Sequence, residues 1–192
     1  MFAIPLAPDA ELRPLEPWQI GEFFAHIERA RSQLDKWIRF AAVCKDLPSA
    51  HATLQHYADK QAADSGRLFG IWDRGVLVGG CMFPAFDAQS GVCEIGVWTE
   101  PAGQGRGLIS AAVRHLLDYA LIERGLTRAE WHCSPLNDRS WAVAKRVGMT
   151  AEGILRSAYV VNGERQDMQI WAILRDEWVA LREDEGSGAT RP

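Results

Sequence analysis

A chain of 192 residues, 47% hydrophobic and 24% charged, has the length and make-up of one buried globular core. A formal net charge of -4 gives no broad attraction for nucleic acid or an anionic membrane, and no apolar run approaches the roughly 18 residues of a membrane span. The opening MFAIPLAPDAELRP has no basic segment ahead of its apolar residues and reads as no signal peptide, and four cysteines without a CxxC pair fit free thiols in a reducing cytoplasm.

Glu11 to Leu15 is a short extended segment closed by prolines. Trp18 to Arg31 sets Ile20, Phe23, Phe24 and Ile27 at helical spacing, and Ser32 to Phe40 (SQLDKWIRF) reads as a second short helix. Ser49 to Asp64 is a third, rich in alanine, with Ser49 after Pro48 as its expected cap. The texture then changes. LFGIWDRGVLVGGCMFPAF holds two apolar runs joined by Asp73-Arg74-Gly75, a hairpin signal, and Gly91 to Trp98 is another β run. Ile109 to Arg124 is a helix ended by Gly125, and Arg128 to Cys133 is again a strand. Asn137 to Val147 is a helix with Asn137 as N-cap and Gly148 just past its end. Tyr159 to Val161 and Met168 to Leu174 read as strands around an Asn162-Gly163 turn. Residues 1–182 are expected to form one α/β domain with a mixed, partly antiparallel sheet, and the polar EDEGSGATRP at 183–192 a disordered tail.

The most informative stretch is GQGRGLIS, Gly103 to Ser110, between a strand and a helix. The first N–H groups of a helix lack intrahelical partners and carry partial positive charge. Glycines let backbone approach a bulky anion with no Cβ in the way, so a pyrophosphate fits here, with Arg106 adding positive charge. The loop is neither GxxxxGK[ST] nor GxGxxG, and on spacing alone a plain surface loop remains equally open. Cys44, Cys81, Cys93, Cys133 and the histidines, His26 and His132 among them, show no metal-ligand spacing.

The segment Gln104-Gly-Arg-Gly107-Leu-Ile109 resembles the Q/R-x-x-G-x-G/A loop of the GNAT superfamily of N-acetyltransferases, with Ile109 in place of the small last residue. CEIGVWTEPAGQGRG, NDRSWAVAKRVGM, LDKWIRF and the C-terminal stretch ending at Leu174 to Trp178 resemble, in order, segments of its RimJ/RimL-like branch. Together they cover most of residues 11–178. The resemblance implies the GNAT fold, a mixed and mostly antiparallel sheet with splayed central strands flanked by helices. It implies acetyl-CoA as acetyl donor, no metal, and a homodimer.

By the same resemblance, the backbone of Val97 and Trp98 pairs with the pantetheine arm, while Gly105, Arg106, Gly107, Leu108 and Ile109, with Gln104, hold the pyrophosphate. Asn137 and Ser140 form the next pair. Asn137 serves equally as a plain helix cap. Ser140 shares a helix face with Val143, Ala144 and Val147, and is the expected acid at the coenzyme A sulfur. The base is open. Glu94 alternates onto one face with Val92, Gly96 and Trp98, where it either takes the amine proton through a water or simply faces solvent or an arginine. Tyr159 stands where RimL-like proteins carry a candidate glutamate base; it shapes the pocket, donates to sulfur, or packs. Asp167 orients substrate or pairs with an arginine.

The function so implied is acetyl transfer from acetyl-CoA to a primary amine, foremost the N-terminal amine of a protein or peptide. A small-molecule amine (amino acid, polyamine or antibiotic) is the alternative acceptor, and a non-catalytic acyl-CoA-binding module is a further one. No nucleic-acid or membrane partner is expected, and the location is cytoplasmic.

Overall fold

The computed structural model describes residues 3–38, 40–161 and 163–188. One eight-stranded sheet runs in the order β1-β2-β3-β4-β5-β6-β8-β7. Its strands are β1 (Ile4–Ala7), β2 (Ala10–Pro14), β3 (Arg67–Asp73), β4 (Val76–Asp87), β5 (Val92–Thr99), β6 (Arg128–Cys133), β7 (Thr150–Val161) and β8 (Glu164–Leu174). Every neighbouring pair is antiparallel except β5 and β6. The helices are α1 (Ile20–Leu34), α2 (Phe40–Val43), α3 (Leu47–Ala62), α4 (Leu108–Leu117), α5 (Asp138–Arg146) and α6 (Arg175–Gly188). None of them, among the described residues, is long and apolar enough to cross a membrane.

Local chemistry accounts for the boundaries. Arg74 and Gly75 both take positive φ, 49° and 79°, which is the two-residue turn whose twist matches a hairpin. Pro84 breaks the β4 ladder at a bulge between Met82 and Ala85, where its missing N–H is harmless. Several expectations are corrected. Ser32 to Phe40 is not a separate helix: α1 continues to Leu34 before a turn, and α2 starts at Phe40. The cap of α3 is Asp46, whose carboxylate accepts from Ser49 N at 2.9 Å, so Ser49 is the returning half of a capping box. The segment after α4 widens into a π-helix at Asp118–Glu123. The strands of the last hairpin are far longer than their apolar runs, and Asn162 of its turn lies outside the described residues. The start of the chain forms β1, which the prolines had hidden. Finally, α6 runs to Gly188, so residues 183–188 are helical rather than a disordered tail; 189–192 lie outside the described residues.

Two apolar layers cover the sheet. On one face α4, the π-helix, α5 and Trp178 pack with Cys93, Ile95, Ala129, Trp131 and Cys133. On the other, Phe23, Ile27, Phe40 and Leu54 of the first three helices pack with Trp72, Met82 and Trp98. Each fully buried Phe or Ile here is worth roughly 1.5–3 kcal/mol. Trp98 dominates its neighbourhood: a Cβ on Gly80 would stand 2.3 Å from its ring, so that position needs glycine.

A buried polar chain ties α1 to this layer. Trp98 Nε1 donates to His26 Nε2 at 3.0 Å, leaving His26 Nδ1–H to donate to Glu100 Oε2 at 3.2 Å. Arg29 Nε donates to the same oxygen, and its Nη2 to the carbonyl of Leu77. Burial pushes the His26 imidazole below its ordinary value, with the Glu100 charge opposing. The folded chain therefore binds fewer protons at His26 than the unfolded chain, and stability falls as pH drops below about 6.5. Urea midpoints measured on either side of that pH should fall for the wild type and fall less for His26→Gln; an equal fall contradicts this assignment.

Candidate active site

The parallel pairing of β5 with β6 is short. It joins Val92 to Arg128, Cys93 to Ala129 and Glu94 to Glu130, and stops there. Beyond it, among the described residues, Val97 and Trp98 pair only with Cys81 and Gly80 of β4, while His132 and Cys133 pair only with Ile170 and Gln169 of β8. A row of backbone N–H and C=O groups on β5 is thus left facing a gap. Unpaired backbone in a sheet interior is costly, and an extended ligand is its natural partner.

The chain leaves β5 through a 3-10 turn at Pro101–Gly103 and enters the glycine loop. Gly105 and Gly107 hold φ of 77° and 73°, and a Cβ at either would meet nothing within 4 Å. Open space lies in front of them, and L residues there are strained. Gly107 is the N-cap of α4 and offers no side-chain cap, unlike Asp46 at α3 and Asn137 at α5. The first N–H groups of α4 therefore point at the open loop without a side-chain acceptor. Leu108 is buried in the core, so only its backbone can serve a ligand, and Ile109 packs half-buried against that core.

The arginine of this loop does not behave as expected. Arg106 turns away to Asp9 and Asp73, with Nη2 2.6 Å from Asp9 Oδ1. Positive charge at the loop comes instead from α5, which sequence reasoning missed. Arg139 Nη1 donates to Gln104 Oε1 at 2.8 Å, and Arg146 Nη1 to Ser110 Oγ at 3.2 Å. Their spacing of seven puts both on one helix face, a signal present in the sequence.

Asn137 is the N-cap of α5, accepting from Ser140 N at 3.2 Å. Ser140 Oγ accepts from Trp131 Nε1 at 3.0 Å, and Cys133 stands close enough to interact with both groups. The hydroxyl oxygen is thereby oriented from β6, and its proton remains to be donated.

On the opposite face of the sheet stands a charged group. Glu94 lies on the Trp98 face, as alternation required, and burial raises its carboxyl above the ordinary range. His132 opposes that shift, Glu130 adds to it, and Lys60 opposes it. His132 Nε2 is 2.9 Å from Glu130 Oε2, and its Nδ1 is 3.7 Å from Glu94 Oε2. Arg128 Nε donates to the other Glu130 oxygen at 2.7 Å. Burial and the Glu94 charge push the Tyr57 hydroxyl of α3 up to about 12. Glu130 was not singled out from sequence, and His132 was read there only as lacking metal-ligand spacing, although R-x-E-x-H alternation along β6 places all three on one face. Tyr159 donates to Gln166 Oε1 at 3.1 Å within its own hairpin. Among the described residues Asp167 forms no ion pair with an arginine; its carboxylate accepts from the backbone of Ser157, which bulges with φ of 53°.

A sheet opened between two parallel strands, followed directly by a glycine-fronted, uncapped helix, defines an acyl-CoA type of acyltransferase. Comparison with known proteins agrees. Residues 10–150 match the acetyltransferase (GNAT) domain, and the chain belongs to that family. It is 30% identical over 183 residues, 93% of this chain and 98% of the relative, to the putative ribosomal N-acetyltransferase YdaF of Bacillus subtilis (strain 168). Over 110 residues, 57% of this chain and 62% of the relative, it is 30% identical to the ribosomal-protein-serine acetyltransferase of Escherichia coli (strain K12). Among solved structures, RimL, a ribosomal alpha-N-protein acetyltransferase in complex with coenzyme A, superposes with a TM-score of 0.85. That likeness covers 91% of this chain and 99% of the other at 22% identity.

The open loop space gives a direct test. Gly107→Val places a β-branched residue at positive φ and fills the approach, and should weaken acetyl-CoA binding by about tenfold or more in calorimetry. Gly153→Val, on exposed β7 without positive φ, should leave affinity unchanged. Full affinity in Gly107→Val would mean that the loop is no cradle.

Proposed function

We propose that this acetyltransferase moves the acetyl group of acetyl-CoA to the N-terminal amine of a protein or peptide. The observation that carries the cofactor is the open edge of β5 at Val97 and Trp98, running straight into the uncapped start of α4. Acetyl-CoA, when bound, supplies the acyl group as a thioester. Val97 and Trp98 offer strand pairing to its extended arm, and the Gly105–Ile109 backbone, with Arg139 and Arg146 nearby, suits its phosphates. Ser140 gives its proton to the departing sulfur, its oxygen being held by Trp131.

The acceptor side has the opposite character. Glu94 and Glu130 supply negative charge on the face away from Ser140, which attracts the ammonium form in which an amine arrives. Acid and acceptor sites are thus divided by the sheet, so the amine enters on one face and the thiol leaves on the other. The named activities of the relatives support a protein N-terminus as the acceptor. The buried cysteines, none in a disulfide among the described residues, support a cytoplasmic setting.

Thiol release from acetyl-CoA should appear with short peptides bearing varied N-termini and stay at background with free amino acids, polyamines and aminoglycosides. The reverse pattern would replace the acceptor assigned here. Ser140→Ala should lower turnover with the peptide by roughly 10²-fold; a near-normal rate would reduce Ser140 to packing.

A further inference from the structure

We infer that His132, not Glu94 or Tyr159, is the general base of the reaction, with Glu130 as the residue that sets its tautomer. The inference rests on the acyl-transfer reading above and adds a residue to it. His132 is one residue from the end of β6 and lies beyond the last β5–β6 pair, at the mouth of the gap. Alternation keeps Trp131 and Cys133 on the α4–α5 face, so His132 projects onto the other face, with Glu94.

The hydrogen bonds then fix the imidazole. Glu130 takes Arg128 on one oxygen and His132 on the other. Burial alone would raise its carboxyl, but these two bonds outweigh burial and hold it below the ordinary range. A carboxylate can only accept, so the neutral imidazole must carry its proton on Nε2 and present a bare Nδ1. Glu94 Oε2 is 3.7 Å from Nδ1, beyond a hydrogen bond, and so does not occupy it. The pattern of carboxylate, imidazole and unoccupied nitrogen is that of a positioned base.

The surroundings suit proton traffic. Around the imidazole stand Glu94 of β5, Arg128 and Glu130 of β6, and Ile170 of β8, with Tyr57 and Lys60 of α3 facing Glu94 and Glu152 of β7 paired to Arg128. Lys60 is turned to the carbonyl of Pro84. The His132 side chain is 24% exposed, which leaves a route to water. The acceptor enters as an ammonium beside Glu94 and passes one proton to Nδ1, giving an imidazolium between two carboxylates, which sheds that proton to solvent. The neutral nitrogen then bonds to the acyl carbon as the carbon–sulfur bond breaks, Ser140 gives its proton to the leaving sulfur, and the second amine proton is taken up at the freed Nδ1 and returned through solvent to the serine oxygen.

Two measurements test this. Nitrogen NMR of the intact protein, with no substrate added, should show neutral His132 protonated at Nε2; protonation at Nδ1 overturns the inference whichever acceptor is found. With a turned-over peptide, His132→Gln should lower kcat at neutral pH by roughly 10²-fold while acetyl-CoA affinity is unchanged. The rise of its rate with pH should move up toward the amine's own range near 8, and added imidazole should restore rate to His132→Gly. An active wild type whose rate and pH profile survive His132→Gln sinks the base while leaving the transferase intact. No turnover of any peptide by the wild type instead strikes the acceptor reading, and the tautomer result still decides on His132.

Discussion

The sheet opens between β5 and β6 past Glu94 and Glu130, and the rest of the site depends on that opening. Trp98 on β5 is drawn into the α1–α3 layer, where its nitrogen bonds His26. Trp131 on β6 is drawn into the α4–α5 layer, where its nitrogen bonds Ser140. The ladder ends at Glu94 and Glu130, and a sheet that would otherwise close presents bare backbone instead. Each anchor is buried, so each polar contact is worth more than its surface counterpart and costs more to break.

The same two anchors join the opening to the chemistry. The His26 chain reaches Glu100, the residue just before the turn that leads to the glycine loop. The Trp131 contact holds the hydroxyl assigned as acid. Loop entry and acid are thus each held by a buried indole, one on either face of the opening. The charged residues divide along the same line, with arginines of α5 beside the loop and the Glu94, Glu130 and His132 group on the opposite face. A polyanionic donor and a cationic acceptor thus meet surfaces of opposite sign.

Much of this was legible from local pattern. The place of the glycine loop between a strand and a helix, the Arg74-Gly75 turn, the Asn137 cap and the inward face of Ser140 are short-range features, and the structure has each of them. What escaped reading depended on distant partners. Nothing local to Arg106 shows that Asp9 and Asp73 will claim it, since they lie 97 and 33 residues away. β1 contains Pro5 and is defined only by its pairing with β2. The helix at residues 183–188 has a composition typical of coil, yet it continues from Trp178, which is buried against the core. His132 was visible as a histidine but not as a site, because its place past the end of the β5–β6 pairing, near Glu94, is known only once the strands are assembled.

Amide hydrogen exchange, resolved by peptide and recorded with and without acetyl-CoA, tests the open edge most directly. The account predicts marked slowing within residues 95–99 and 103–109, with β1 to β3 unchanged. Exchange at 95–99 that is indifferent to saturating acetyl-CoA would contradict it, because the bare backbone of β5 would then have no partner in the reaction.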